Sequence, residues 1–163
     1  MITKFKIFEN NNLDDTIIKC VNDNTYRALD IIPDKKHTMK VILNNFSYSL
    51  YVINFKELIK YNFPLNAKDN DGDTALILAS NQGNIEIVKL LIGAGVDLNI
   101  KNNGGGTALM WASKYNHIEI AKLLINAGAN LNIKNKYDDT ALIIANNNKH
   151  KKIVELLKSK GAK

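Results

Sequence analysis

The most constraining feature of this sequence is an internal repeat with a period of 33 residues. Residues 66–98 and 99–131 share 19 identities in 33 aligned positions, with no insertion between the copies. The segment Thr74-Ala75-Leu76 recurs as Thr107-Ala108-Leu109 and again as Thr140-Ala141-Leu142. A constant period of this length indicates a repeat architecture, in which each copy must stack on its neighbours to bury its apolar face.

Each copy has the pattern of two short helices and a projecting turn. A threonine precedes the first apolar run, as an N-cap residue does. First helices are therefore predicted at 75–82, 108–115 and 141–148. An apolar stripe in the second half of each copy predicts second helices at 85–93, 118–126 and 151–159. A recurring glycine then ends the second helix, and the polar residues after it predict a projecting hairpin.

These residues resemble the ankyrin repeat. The family pattern Thr-Pro-Leu-His-x-Ala is carried by Thr74–Ala79, and its second helix is similar to the segment that contains Leu90-Leu91 and Ala94-Gly95. The family proline is alanine in all three copies, and the family histidine is replaced by Ile77, Met110 and Ile143. Because that histidine normally joins neighbouring repeats by hydrogen bonds, the resemblance implies an array that depends more on apolar packing.

The repeat register predicts the backbone conformation and the burial of particular residues. Gly95 and Gly128 should have positive φ, and three leucines should be buried at equivalent places: Leu76, Leu109 and Leu142. The inter-helix glycine of the family is present as Gly83, whereas Asn116 and Lys149 replace it in the later copies. A left-handed backbone costs lysine ~1 kcal/mol, so the last repeat should be the least regular.

A degenerate fourth copy lies upstream, where Leu43, Leu58 and Asn62 align with Leu76, Leu91 and Gly95. The fold expected is an all-α ankyrin-repeat solenoid of helix-turn-helix units with projecting hairpin loops. Its units are an N-terminal helical cap or worn half-repeat at 1–32, a degenerate repeat at 33–65, repeats at 66–98 and 99–131, and a C-terminal capping repeat at 132–163. Two short helices are predicted within the first segment, at 14–21 and 26–31.

Composition excludes several classes of protein. The chain is 45% hydrophobic and 23% charged, which is ordinary for a globular domain and excludes bulk disorder. Its one cysteine, Cys20, excludes an internal disulfide and fits a reducing compartment. No apolar run approaches the ~18 residues of a membrane span, and the first residues lack the apolar core of a secretory signal. We therefore expect a cytoplasmic monomer with no membrane contact.

The net charge of +6 is concentrated at the C-terminal end, where residues 149–163 hold six lysines against Glu155. This cluster supports an alternative function, the binding of nucleic acid or another anionic surface. Arg27 is the single arginine beside 21 lysines. Nucleic-acid binding is disfavoured because base edges and phosphates are usually read by arginine, so a solvated lysine face is the simpler interpretation.

No residue set for catalysis, a cofactor or a metal ion is predicted. Asp69, Asp71 and Asp73 have the spacing of a calcium loop, but its glycine and its bidentate glutamate are missing. The glycines at 104–106 lack the Lys-Ser/Thr of a phosphate loop, and His117 and His150 have no neighbours for zinc. Met110 and Trp111 are interpreted as core residues. The chain is therefore not expected to be an enzyme.

The resemblance implies protein–protein binding through a concave surface of hairpin tips and first helices. By register, the binding residues are Asn70, Asp71, Asp73, Asn81, Asn103, Gly104, Gly106, Lys114, Tyr115, Lys136, Tyr137, Asp139 and Asn147. Among them, the two tyrosines supply large, stiff contact areas with a polar end, and tyrosine is enriched among interface hot spots.

The origin of the chain is suggested by its richness in asparagine and isoleucine, which is typical of an AT-rich genome. With its small size, this composition is similar to ankyrin proteins of large DNA viruses or intracellular bacteria. That resemblance implies a partner protein of the host and a location in the host cytoplasm.

Overall fold

The computed structural model describes residues 34–46 and 55–163, in which eight helices form and no strand is present. The helices are α1 (Lys35–Phe46), α2 (Phe55–Lys60), α3 (Ala75–Gln82), α4 (Ile85–Gly93), α5 (Ala108–Lys114), α6 (Ile118–Asn126), α7 (Ala141–Asn147) and α8 (Lys151–Ser159). The predicted all-α class is confirmed. The helices predicted within 1–32, and Cys20, lie outside the described residues.

The predicted helix boundaries agree with the structure to within one residue. Thr74, Thr107 and Thr140 cap the first helices, and each hydroxyl accepts the amide three residues later at 3.3–3.4 Å. Helix α3 runs to Gln82, whereas α5 and α7 end one residue earlier than predicted. Glycine follows α3 at φ 76°, while its replacements Asn116 and Lys149 reach φ 59° and 61°. The left-handed backbone expected at these three positions is confirmed.

All four second helices end in the same way. A residue with positive φ follows each of them: Asn62 (55°), Gly95 (73°), Gly128 (92°) and Gly161 (86°). The next amide then bonds to the carbonyl five residues earlier, at 3.0–3.3 Å, which satisfies helix-end acceptors in the Schellman manner. The expectation for Gly95 and Gly128 is confirmed, and asparagine takes the same role after α2.

The helices pack in two rows, with α3, α5 and α7 side by side and α2, α4, α6 and α8 behind them. Within the first row, three alanines that recur every 33 residues are fully buried: Ala79, Ala112 and Ala145. Leu76 and Leu109 are buried as expected, but the expectation for Leu142 is wrong, since it is only half-buried. No helix of the described chain covers the outer side of α7, which also leaves Ile143 38% exposed.

The upstream unit supplies apolar residues to the same core. Met39, Ile42, Leu43, Phe55 and Leu58 are all buried, and α2 packs on α4. Helix α1 includes residues 35–41, which align with the turn at 68–74. The described part of this unit therefore has a helix where the later copies have a hairpin.

Adjacent hairpins approach each other at two glycines. Gly72 and Gly105 have φ of 78° and 80°. A Cβ atom would lie 2.7 Å from the amide nitrogen of Asn103 at the first position and 2.9 Å from that of Lys136 at the second. Asp138 occupies the equivalent position of the last hairpin with φ 62°, where no further hairpin of the described chain approaches.

Replacement of Gly105 by alanine should therefore destabilise the array for two reasons, backbone strain and steric overlap with the next hairpin. Gly128→Ala is the matched control, because Gly128 also has positive φ but has open space around its Cβ position. We expect Gly128→Ala to lower the free energy of unfolding by about 1 kcal/mol, and Gly105→Ala to lower it by at least about 1 kcal/mol more. Equal losses in urea denaturation would contradict a tight contact between hairpins.

Removal of residues 1–65 should expose the apolar surfaces of α3 and α4. An interior repeat has apolar flanks on both sides, so an array needs a covering element at each end. We expect the fragment 66–163 to aggregate or to melt several degrees below the full chain, as measured by light scattering and calorimetry. A monomeric fragment with unchanged melting would show that the upstream segment is not a cap.

Candidate functional site

Each hairpin tip is shaped by one side chain at its base. The Oδ1 atoms of Asp69, Asn102 and Asn135 each accept the amides two and four residues later, at 2.8–3.0 Å. Two of the three equivalent residues are uncharged asparagines, so this position serves the turn and needs no cation. No group of three or more potential metal ligands occurs among the described residues.

Neighbouring tips are joined through their backbones. The amide of Asn103 donates to the carbonyl of Asp71 at 3.0 Å, and that of Lys136 donates to the carbonyl of Gly104 at 3.1 Å. Asn103 Nδ2 also donates to the carbonyl of Asn70 at 3.0 Å. Five of the residues predicted for binding are thus brought together in one continuous line of tips, and all five are exposed.

The other predicted residues lie at the foot of the tips, at the ends of the first helices and, in the case of Tyr137, at the third tip. Those at the foot of the tips are half-buried: Asp73, Gly106 and Asp139. Lys114, Tyr115 and Asn147 are exposed at the ends of the first helices, whereas Asn81 is half-buried. Tyr137 is 82% exposed at the third tip. We use the name hairpin–helix face for the thirteen predicted residues taken together.

An aromatic pair lies on this face at α5. The rings of Trp111 and Tyr115 are stacked with centroids 6.0 Å apart and an angle of 9° between their planes. The interpretation of Met110 as a core residue is confirmed. Trp111 packs against the core but remains half-buried, so part of its surface is exposed beside the hairpin–helix face. The sequence already distinguished Trp111 from a core residue of the repeat, because the equivalent residues of the other copies are Leu78 and Ile144.

Two histidines connect neighbouring repeats. The Nε2 atom of His117 lies 3.1 Å from the carbonyl oxygen of Asn81, and that of His150 lies 3.0 Å from the carbonyl oxygen of Lys114. Polar contacts between repeats therefore exist although the family histidine is missing, and they act beside the apolar packing on which the array was expected to depend more.

A second polar connection repeats with the same period as the sequence. The Oδ1 atoms of Asn66, Asn99 and Asn132 accept the amides of residues 97, 130 and 163 at 2.8–3.1 Å. These asparagines recur every 33 residues, so their period was a usable signal that sequence reasoning missed.

The first tip carries the densest negative charge of the face. Burial raises the pKa of the Asp73 carboxyl above its ordinary value, the hydrogen bond from Asn102 Nδ2 lowers it, and the carboxylates of Asp69 and Asp71 raise it again. The Asn102 bond to Asp73 is 2.8 Å long. The negative charge of Asp73 is therefore held at a net cost to folding.

The six lysines of 149–163 are all exposed. They lie in and around α8, which belongs to the second row of helices. Within the described residues, no helix has the length and apolar character needed to cross a bilayer.

Comparison with known proteins gives one family. A family model described as ankyrin repeats, in three copies, matches residues 36–102 and 82–163, which together cover most of the chain. A comparison with curated protein sequences finds no significant match.

Asp73→Asn should stabilise the protein at neutral pH, because asparagine keeps the acceptor oxygen for Asn102 without the charge. A raised pKa means that the native state holds the proton of Asp73 more tightly than the unfolded chain does. Protonation of Asp73 therefore stabilises the unchanged chain at low pH, and this contribution is lost as the pH rises through the folded pKa. The advantage of the variant should therefore shrink on acidification. We expect less than about 1 kcal/mol, since water screens a half-exposed group. A gain independent of pH in urea denaturation would exclude this cause.

Proposed function

This chain belongs to the ankyrin-repeat family, and we propose that it binds a partner protein through the hairpin–helix face. Members of this family are generally non-catalytic interaction modules. The observation that carries the proposal is the division of labour within each tip. The residue at the base and the backbone amides are engaged in the fold, whereas the second apex position is exposed and differs from copy to copy: Asp71, Gly104 and Tyr137.

The apex residues supply three kinds of surface on one scaffold. At the second apex position, Asp71 presents a carboxylate, Gly104 presents bare backbone and Tyr137 presents an aromatic ring. Side chains on a rigid scaffold lose little conformational freedom when a partner binds. This arrangement supports recognition of a protein surface rather than chemistry on a substrate.

The proposal includes a non-catalytic monomer that acts in the cytoplasm, which the single cysteine supports. The composition rich in asparagine and isoleucine is the support for an origin in a large DNA virus or an intracellular bacterium, and hence for a host protein as the partner.

Tyr137→Ala tests the proposal at its most exposed aromatic residue. Partners are captured from cell extract with the full chain, identified by mass spectrometry, purified and titrated. The variant should keep its folding free energy within ~0.5 kcal/mol and bind the purified partner at least ~1 kcal/mol more weakly. Lys122→Ala, an exposed change on α6 in the second row, is the control and should bind as the unchanged chain does.

Equal binding by the unchanged chain and by the folded Tyr115→Ala/Tyr137→Ala double variant would place the interface elsewhere. If binding then fell steeply with salt, the exposed lysines around α8 would be the surface to test next.

A further inference from the structure

The aromatic pair at the C-terminal end of α5 has further aromatic and polar contacts. The ring centroid of Tyr115 is 6.0 Å from that of Trp111 and 6.3 Å from that of His117. His117 is itself connected to the preceding repeat through the carbonyl of Asn81. Tyr115 nevertheless remains 47% exposed. A side chain that is already fixed loses little entropy on contact with a partner, which favours its use as an anchor.

A cation lies beside this pair. The Nζ atom of Lys114 is 4.8 Å from the ring centroid of Trp111 and 5.4 Å from that of Tyr115. Such cation–π contacts position the ammonium group without neutralising it. None of the described carboxylates forms a salt bridge with Lys114, while exposed lysines such as Lys89 and Lys122 pair with glutamates on the second row. The positive charge at the rings is therefore available to a carboxylate of a partner.

The second hairpin lies close to the indole ring of Trp111. Gly104 and Gly106 carry no side chains, and a Cβ atom at Gly106 would lie only 3.1 Å from Nε1 of Trp111. The flanking repeats have Asp73 and Asp139 at the position of Gly106. At the second tip the hairpin backbone itself therefore lies against this edge of the indole, where Nε1 is buried.

The charges on either side fix where an anionic segment can lie. The first tip presents the exposed carboxylate of Asp71, which repels it. At the third tip Lys136 is exposed, Asp138 is paired with Lys134 at 3.5 Å, and the carboxylate of Asp139 is half-buried. An exposed carboxylate at the first tip and an exposed ammonium group at the third favour one register along the face.

We propose that the second and third repeats bind an acidic peptide segment of the partner, with a carboxylate at Lys114 and a neighbouring apolar side chain on the Trp111–Tyr115 stack. This inference rests on the proposed function and adds the chemical class and position of the ligand. Charge complementarity and the exposed half of Tyr115 commit the face to this occupant.

The single tryptophan of the chain makes the site directly observable. The probes are short synthetic peptides without tryptophan that carry Glu or Asp one to three residues from Leu or Phe, and matched peptides with Lys in place of the acid. Acidic peptides should change the emission of Trp111 and protect it from iodide quenching. They should bind at least about tenfold more tightly than their lysine counterparts, with a preference that weakens as salt rises.

The variant for this test is Lys114→Asn/Tyr115→Gln, which places the residues of the preceding repeat, Asn81 and Gln82, at the same register and retains Trp111. It should lose the preference for acidic peptides and bind them at least about tenfold more weakly. The control Lys122→Asn removes the same charge from the second row and should bind within about twofold of the unchanged chain. Melting curves establish that both variants are folded, and Lys114→Asn alone serves if the double variant melts early.

Equal affinity for acidic and lysine peptides, no binding of any probe, or an acid preference that survives in Lys114→Asn/Tyr115→Gln would each overturn this inference. The proposed function is judged separately, by whether Tyr137→Ala weakens the captured partner. A partner that is lost with Tyr137→Ala but retained by the Lys114→Asn/Tyr115→Gln variant would preserve the proposed function and refute the acidic-peptide site.

Discussion

Close approach between neighbouring repeats is the constraint on which the other features of this molecule depend. The first helices pack side by side with a fully buried alanine in each, and the hairpins approach each other at Gly72 and Gly105, where a Cβ atom would overlap the next backbone. Apolar packing favours the stack, and the glycines allow backbone hydrogen bonds between tips at 3.0–3.1 Å. Small residues at two levels of the unit thus set the distance between all the exposed side chains.

The polar groups of the hairpins must be satisfied within that same spacing. Unpaired buried amides cost free energy, and Asn102 shows how the structure avoids the cost. Its Oδ1 accepts two amides of its own tip, while its Nδ2 donates to Asp73 of the preceding tip. One side chain therefore shapes a hairpin and connects two repeats. The side chains at the register of Asp71, Gly104 and Tyr137 take no part in these hydrogen bonds, and for this reason they can differ between copies.

Local features were predictable from the sequence, and contacts between repeats were largely not. Threonine caps, helix boundaries and positive φ at Asn62 or Gly95 follow from residues close together in the chain. The contacts of Asn99 with residue 130, or of His117 with Asn81, join residues 31 and 36 apart, so they become visible only when the units are stacked. The half-burial of Leu142 has the same origin, because burial at this position depends on a helix packed against the outer side of α7, and no helix of the described chain lies there.

The copies also show why specificity and stability can change independently in such a chain. Asp71, Gly104 and Tyr137 occupy one register with the same turn around them, so a charge, an absent side chain and an aromatic ring are all compatible with the fold. One residue further on, glycine is present wherever another hairpin follows, and Asp138 appears where none is described. Adjacent residues of one tip are therefore under different constraints: the fold leaves the apex position variable, whereas the next repeat restricts the position that follows it.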